Sequence, residues 1–259
     1  MERGLSPPVR VFPTLEEAAG ALAQSFILSA REAIKERGRA LIVLTGGTTT
    51  RALYHVLLER NRTSLDWDRI EFFWGDERCV PASSDDSNYG VARRMFLDPL
   101  GVPEAHVHPM RGDLTPPARA AEEYSREIVR VVDHVVPWFD LVLLGLGADG
   151  HTASLFPRSR SLAEARRPVI SIPHPAGHPR VPRLTLTRPA LGSSRAIAFL
   201  VAGASKAQSL ASTLAADQDA DFPASLLRPV GTTTWYVDVA AAAKVPPERL
   251  VSGTGVPHP

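Results

Sequence analysis

The stretch Phe139-Asp140-Leu141-Val142-Leu143-Leu144-Gly145-Leu146-Gly147-Ala148-Asp149-Gly150-His151-Thr152-Ala153-Ser154-Leu155-Phe156-Pro157 decides the fold. Phe139 to Leu144 form a short apolar run of the kind that a parallel strand covered on both faces requires. The glycines that follow let the backbone turn sharply and approach a ligand closely. In an open α/β sheet, ligands bind at the carboxyl ends of the strands. Asp149 and His151 therefore stand where chemistry is done, and imidazole is the side chain best suited to taking a proton from water near neutral pH. The competing reading is a structural histidine beside a capping aspartate, yet a His flanked by Asp, Gly and Thr in such a turn has little packing reason to be there.

Around this stretch, apolar helical faces alternate with strand-like runs. Thr14 is expected to cap a helix in which Leu15, Ala18, Ala19, Leu22, Phe26, Ala30 and Ile34 recur at helical spacing and which Gly38 closes. Strands are predicted at Ala40 to Leu44, Arg69 to Trp74, Phe139 to Leu144, Val169 to Ile172, Leu184 to Leu186, Ala196 to Ala202 and Thr234 to Val237. Further helices are expected at about Arg51 to Leu58, from near Asn88, at about Pro117 to Val135, and after Ser205. The prolines of Pro173 to Pro179 make that segment a loop. This pattern predicts an α/β fold with a mainly parallel open sheet flanked by helices, Rossmann-like in class. A single domain over residues 1–259 is expected, with about 1–10 and 253–259 as flexible ends.

Composition narrows the function classes. A hydrophobic share of 44% and a charged share of 22% are those of an ordinary globular protein, and no apolar run reaches the roughly 18 residues of a membrane span. With 29 basic and 28 acidic residues there is no field for a polyanion, so neither nucleic acid nor membrane is expected as a partner. The N-terminus lacks a secretory layout and Cys79 is the single cysteine, which together suggest a cytoplasmic protein.

Three more strand-end turns carry chemistry. Thr45-Gly46-Gly47-Thr48-Thr49-Thr50 combines glycines and hydroxyls with a helix start, whose free N–H groups and dipole can hold a phosphate. The alternative is a tight turn with a threonine cap. Gly75-Asp76-Glu77-Arg78-Cys79-Val80-Pro81 offers Arg78 as a fork for phosphate oxygens, with Asp76 or Glu77 holding it or contacting sugar hydroxyls; the alternative is a surface ion pair. Cys79 has no evident histidine and acid partner and reads as a small buried hydrophobe. Lys206, after a strand and at a helix start, adds a point charge for phosphate or is simply solvated. His174 and His178 have a spacing that suits zinc but no third ligand beside them.

These segments, with Ser87-Asn88, Arg183-Leu184-Thr185-Leu186-Thr187 and Lys206-Ala207, appear in order along most of the chain. On them it resembles the 6-phosphogluconolactonase branch of the glucosamine-6-phosphate isomerase/6-phosphogluconolactonase family. The resemblance implies a glucosamine-6-phosphate deaminase-like fold. It also implies hydrolysis of 6-phospho-D-glucono-1,5-lactone to 6-phospho-D-gluconate in the oxidative pentose phosphate pathway, with no metal or organic cofactor. In such a site His151 activates water and Asp149 orients the imidazole or only shapes the turn. Gly46, Gly47, Thr48, Arg78 and Lys206 grip the phosphate; Asp76 joins the substrate-binding set, and Arg183 faces either phosphate or the carbonyl oxygen. The chain departs from the family where Thr50 follows Thr49, since proline commonly ends this turn; a looser helix start is expected. A deaminase carries an Asn-Glu-Pro run after the histidine turn, where this chain has Ser154-Leu155-Phe156-Pro157, so that activity is the less favoured one. A sugar-phosphate sensor is a further alternative.

Overall fold

The computed structural model describes residues 8–133 and 138–253. Ten strands and eight helices alternate through them. The first strand, β1 (Val9–Phe12), leads to α1 (Leu15–Arg37), which Thr14 caps by accepting the Glu17 N–H at 3.2 Å and Gly38 ends in a left-handed conformation at φ 79°. Next come β2 (Ala40–Leu44), α2 (Thr48–Asn61), β3 (Ile70–Trp74) and β4 (Asp76–Arg78). The short α3 (Asn88–Ala92) runs through a π-turn into α4 (Asp98–Leu100). They are followed by α5 (Pro117–Val132), β5 (Phe139–Leu144), β6 (Val169–Ile172), β7 (Arg183–Leu186), α6 (Arg188–Gly192) and β8 (Ser194–Val201). The chain closes with α7 (Ala207–Ala215), β9 (Thr232–Asp238), α8 (Val239–Ala242) and β10 (Leu250–Ser252).

Seven strands form one parallel sheet in the order β10-β1-β9-β8-β5-β2-β3. Its interior strands β2 and β5 are buried at every position, which is why their sequences are apolar runs, broken only by Asp140, rather than alternating ones. Ile42, Val43, Leu44 and Phe139 are each at most 0% exposed, and each such side chain contributes about 1.5–3 kcal/mol by leaving water. The long α1 packs across β2, β5, β8 and β9 and against α2. At the other end of the order, Val107 bridges Phe72 and the His108 N–H donates to the Phe72 carbonyl at 2.8 Å, covering the outer edge of β3.

The strands expected at Val169 to Ile172 and Leu184 to Leu186 lie outside this sheet. With β4 they form a separate antiparallel sheet, β4-β7-β6, on which α5 packs. The segment read as a charged turn, Asp76 to Arg78, is thus a strand, because Asp76, Glu77 and Arg78 pair with Thr185, Leu184 and Arg183. The N-terminal end is tighter than expected: Val9 and Arg10 belong to β1, and the Gly253 N–H donates to the Val11 carbonyl at 2.9 Å. Residues 1–7 and 254–259 lie outside the described residues. Helix α5 ends at Asp133, left-handed at φ 53°, and Val135, expected on its apolar side, also lies outside them. Among the described residues no helix is long and apolar enough to cross a membrane.

Candidate active site

From β2 the chain passes to β3 on one side and later to β5 on the other, so the carboxyl ends of β2 and β5 form the topological switch point of the sheet. A cavity of about 260 Å³ opens there. Of the residues expected to form a site, Gly46, Gly47, Thr48, Asp76, Arg78, His151, Arg183 and Lys206 all line it, although they come from the segments after three parallel strands, β2, β5 and β8, and from β4 and β7 of the antiparallel sheet. Asp149 stands directly behind His151.

The histidine turn is built around its glycines. The Asp149 carboxylate accepts from His151 Nδ1 at 2.5 Å and from the His151 backbone N–H at 3.2 Å. A Cβ at Gly147 would lie 2.2 Å from His151 Nδ1 and 2.3 Å from the Asp149 carboxylate, so only glycine leaves room for the pair. The Gly147 N–H donates to the His151 carbonyl at 2.7 Å, and Thr152 Oγ1 donates to the Gly145 carbonyl at 2.9 Å. With Nδ1 committed to Asp149, Nε2 is the nitrogen left for the cavity. Burial pushes the Asp149 carboxyl up, but its bonds to His151 outweigh that and hold it below the ordinary aspartate value. Ala153, lining the cavity, adopts the left-handed φ of 49° that side-chain-bearing residues rarely take.

Helix α2 starts at Thr48 after Gly47, which has φ 103° and provides no side-chain cap, and no acidic residue occupies its first turn. The threonine-cap reading therefore fails. Its first N–H groups remain free and face the cavity end, the arrangement that binds anions. Thr50, in the place where proline was looked for, donates its hydroxyl to the Gly46 carbonyl at 2.9 Å and is buried, so the helix start is tied rather than loose.

The charged cluster after β3 does not form the ion pair considered from sequence. Neither Asp76 nor Glu77 contacts the Arg78 guanidinium, whose Nη1 donates to the Asp86 carbonyl at 2.6 Å and whose Nε is buried without a partner. Asp76 is engaged at both oxygens: Ser154 Oγ donates to one at 2.6 Å and Asn88 Nδ2 to the other at 3.2 Å. Arg183, buried, donates through Nη2 to the His178 carbonyl at 2.7 Å, lies 4.0 Å from Asp76, and stacks over Phe156, while its Nε has no partner. Burial lowers its pKa against the pull of Asp76. Burial likewise lowers Lys206, against Asp149. Cys79, half-buried, has its thiol pushed up to about 11 by burial, the reverse of what a nucleophile needs.

Asn88, quoted from sequence as part of a matching segment, and Ser205 also line the cavity and were given no role in the site. For Asn88 a signal existed in its position after Ser87, the N-cap of α3, but nothing local reveals its reach to Asp76. Ser205 offered no signal beyond its loop.

The model of the family described as glucosamine-6-phosphate isomerases/6-phosphogluconolactonase matches residues 13–235. The chain belongs to this family. Among family members, the 6-phosphogluconolactonase of Synechocystis sp. is 41% identical over 220 residues, 83% of this chain and 89% of the relative. That of Mycobacterium tuberculosis is 36% identical over 93% of this chain and 100% of its own. The solved structure of the 6-phosphogluconolactonase from Trypanosoma brucei superposes with a TM-score of 0.82 at 29% identity, covering 93% of this chain and 99% of that one.

Proposed function

We infer that this cavity hydrolyses 6-phospho-D-glucono-1,5-lactone to 6-phospho-D-gluconate, a step of the oxidative pentose phosphate pathway. One observation carries the reading: a histidine oriented by Asp149 presents its remaining nitrogen to a cavity that also holds a free helix N-terminus and the cations Arg78 and Lys206. These are the parts that a phosphorylated ester of water-labile type requires. The named activity of relatives that match most of the chain agrees with it.

In the proposed route His151 Nε2 takes a proton from water as the oxygen attacks the lactone carbonyl. Asp149 steadies the imidazolium that results. The free Nε–H of Arg183 is assigned to the carbonyl oxygen as it gains charge, since its other nitrogens are already committed to His178 and to the side facing Asp76. Collapse breaks the ring C–O bond, and His151 returns the proton to the departing ring oxygen. The phosphate lies against the N–H groups at Gly47 and Thr48, with Arg78 and Lys206 beside it. No metal or organic cofactor is needed in this route. The capture of Asp76 by Ser154 and Asn88 argues against its use as a free base in deamination.

The test generates the lactone fresh with glucose-6-phosphate dehydrogenase and follows 6-phosphogluconate above the spontaneous background. Ammonia released from glucosamine 6-phosphate without lactone hydrolysis would overturn the reading, and binding without turnover would make the protein a sensor.

A further inference from the structure

Glu77 does not line the cavity, yet it is 1% exposed and is the most heavily bonded carboxylate in the neighbourhood. Its Oε1 accepts the backbone N–H of Arg78 at 2.7 Å and of Asn88 at 2.8 Å. Its Oε2 accepts the Tyr89 N–H at 2.8 Å and the Ser87 hydroxyl at 3.0 Å. Ser87 in turn accepts the Gly90 N–H and caps α3. One carboxylate thus fastens β4 to the start of α3 across the loop between them.

That fastening reaches the cavity at two points. Asn88, held by its N–H, donates through Nδ2 to the Asp76 carbonyl at 2.9 Å, and its Oδ1 lies 1.7 Å from where a Cβ on Gly46 would be. It is therefore wedged against the first glycine of the phosphate turn. Arg78, also held by its N–H, is braced through its guanidinium to Asp86 in the same loop.

We propose that Glu77 is a positioning residue of this site, setting the wall that carries Arg78 and Asn88 against the Gly46 turn through its ionised carboxylate. The proposal rests on the reading of the cavity as the seat of a phosphorylated substrate. Four donors and no acceptor surround the two oxygens, so only the carboxylate satisfies them all; a proton on either oxygen meets two donors and displaces at least one. Burial pushes this carboxyl up to about 7, against three backbone donors that pull it down, so the clamp changes state near neutrality. The titratable and charged groups facing it are Asp76, Arg78 and Cys79 on its own segment, Tyr54 of α2, Tyr89 of α3, Tyr124 of α5 and Arg183 of β7.

Glu77→Gln copies the protonated form and is compared with the parent protein using sulfate, whose charge is constant over the range, as the probe. At about pH 8.5, sulfate binds the variant about tenfold more weakly, the loss of roughly one charge-assisted hydrogen bond. At about pH 5.5 the difference falls below about twofold, because the parent is then protonated as well. Comparison at equal pH cancels the contribution of His151. For the lactone, KM rises while kcat changes less than about threefold. Amide hydrogen exchange quickens at Asn88 and Tyr89 in the variant, a readout that needs neither turnover nor sulfate binding. Equal sulfate affinity at the higher pH, or unchanged exchange where sulfate does not bind, overturns the proposal. Should Glu77→Gln not fold, Ser87→Ala removes one donor only and is expected to weaken sulfate about threefold; no change there overturns it too. A parent protein that binds sulfate but hydrolyses no lactone removes the proposed activity and leaves this comparison standing.

Discussion

His151 meets one carboxylate, Asp149, through Nδ1 at 2.5 Å and keeps Nε2 for the cavity. His108 meets two, Glu127 through Nδ1 at 2.7 Å and Glu71 through Nε2 at 2.8 Å, and keeps neither nitrogen. The first ring is 28% exposed; the second is 5% exposed and stacks on Phe73 with centroids 4.7 Å apart. His106 adds a further contact to Glu71 at 3.2 Å, and Arg130 bonds Glu127. Both histidines sit beside acids close to the same parallel sheet. What separates the imidazole we propose to react from the structural one is the uncommitted nitrogen, not the carboxylate beside it.

The contrast breaks most visibly in turnover. His151→Ala is expected to lower kcat about 10²- to 10⁴-fold while leaving the thermal melt within about 0.5 kcal/mol, read by the fresh-lactone assay and by calorimetry. His108→Ala should do the reverse, since it removes the buried partner that Glu71 and Glu127 share and leaves a space there: a loss of about 3 kcal/mol in urea unfolding, with kcat within about twofold. If both variants lose turnover alike, the distinction collapses. Gly147→Ala sharpens it, because the added Cβ intrudes on the Asp149–His151 pair; kcat is expected to fall about 10- to 100-fold with the fold retained by circular dichroism.

The smallest effect concerns acid. Burial pushes Glu71 up, but the hydrogen bond from His108 and the contact with His106 outweigh it; Glu127 is lowered first by Arg130 and, against burial, by His108. Both carboxyls therefore lie below the ordinary glutamate value of roughly 4.3 in the folded protein. Their stabilising contribution is complete above that value and is lost as the pH falls through their lowered ones. Unfolding free energy should drop more steeply below about pH 4.3 in the parent protein than in His108→Ala, and parallel curves would show that His108 is not the partner that matters.

The same pair shows what a sequence displays. Asp149 and His151 are two residues apart in a glycine turn behind an apolar run, so their meeting is legible locally; His108 finds its acids 37 and 19 residues away, and nothing near it announces either. Strands β2 and β5 are read residue for residue because burial on both faces makes them apolar throughout apart from Asp140. β4 escapes detection because Asp76 and Glu77 are buried polar residues whose partners come from Ser87, Asn88 and Ser154. β10 has three residues and β1 four, too few for any period to emerge. The antiparallel sheet is invisible for another reason: β6 and β7 are legible as strands, but their direction is decided by what they pair with.

The place of β1 has a consequence in time. Val9 pairs with Trp235 on one side and Leu250 on the other, so the first strand made is seated between two of the last. At roughly 5–20 residues per second, a ribosome has Val9 to Phe12 waiting on the order of ten to fifty seconds before either neighbour emerges. Through that interval two side chains that end almost fully hidden, Val9 and Phe12, remain uncovered on the growing chain. A chain cut short before Thr232 would never cover them with this sheet, which makes its N-terminus a natural target for chaperones and proteases that recognise unfinished protein.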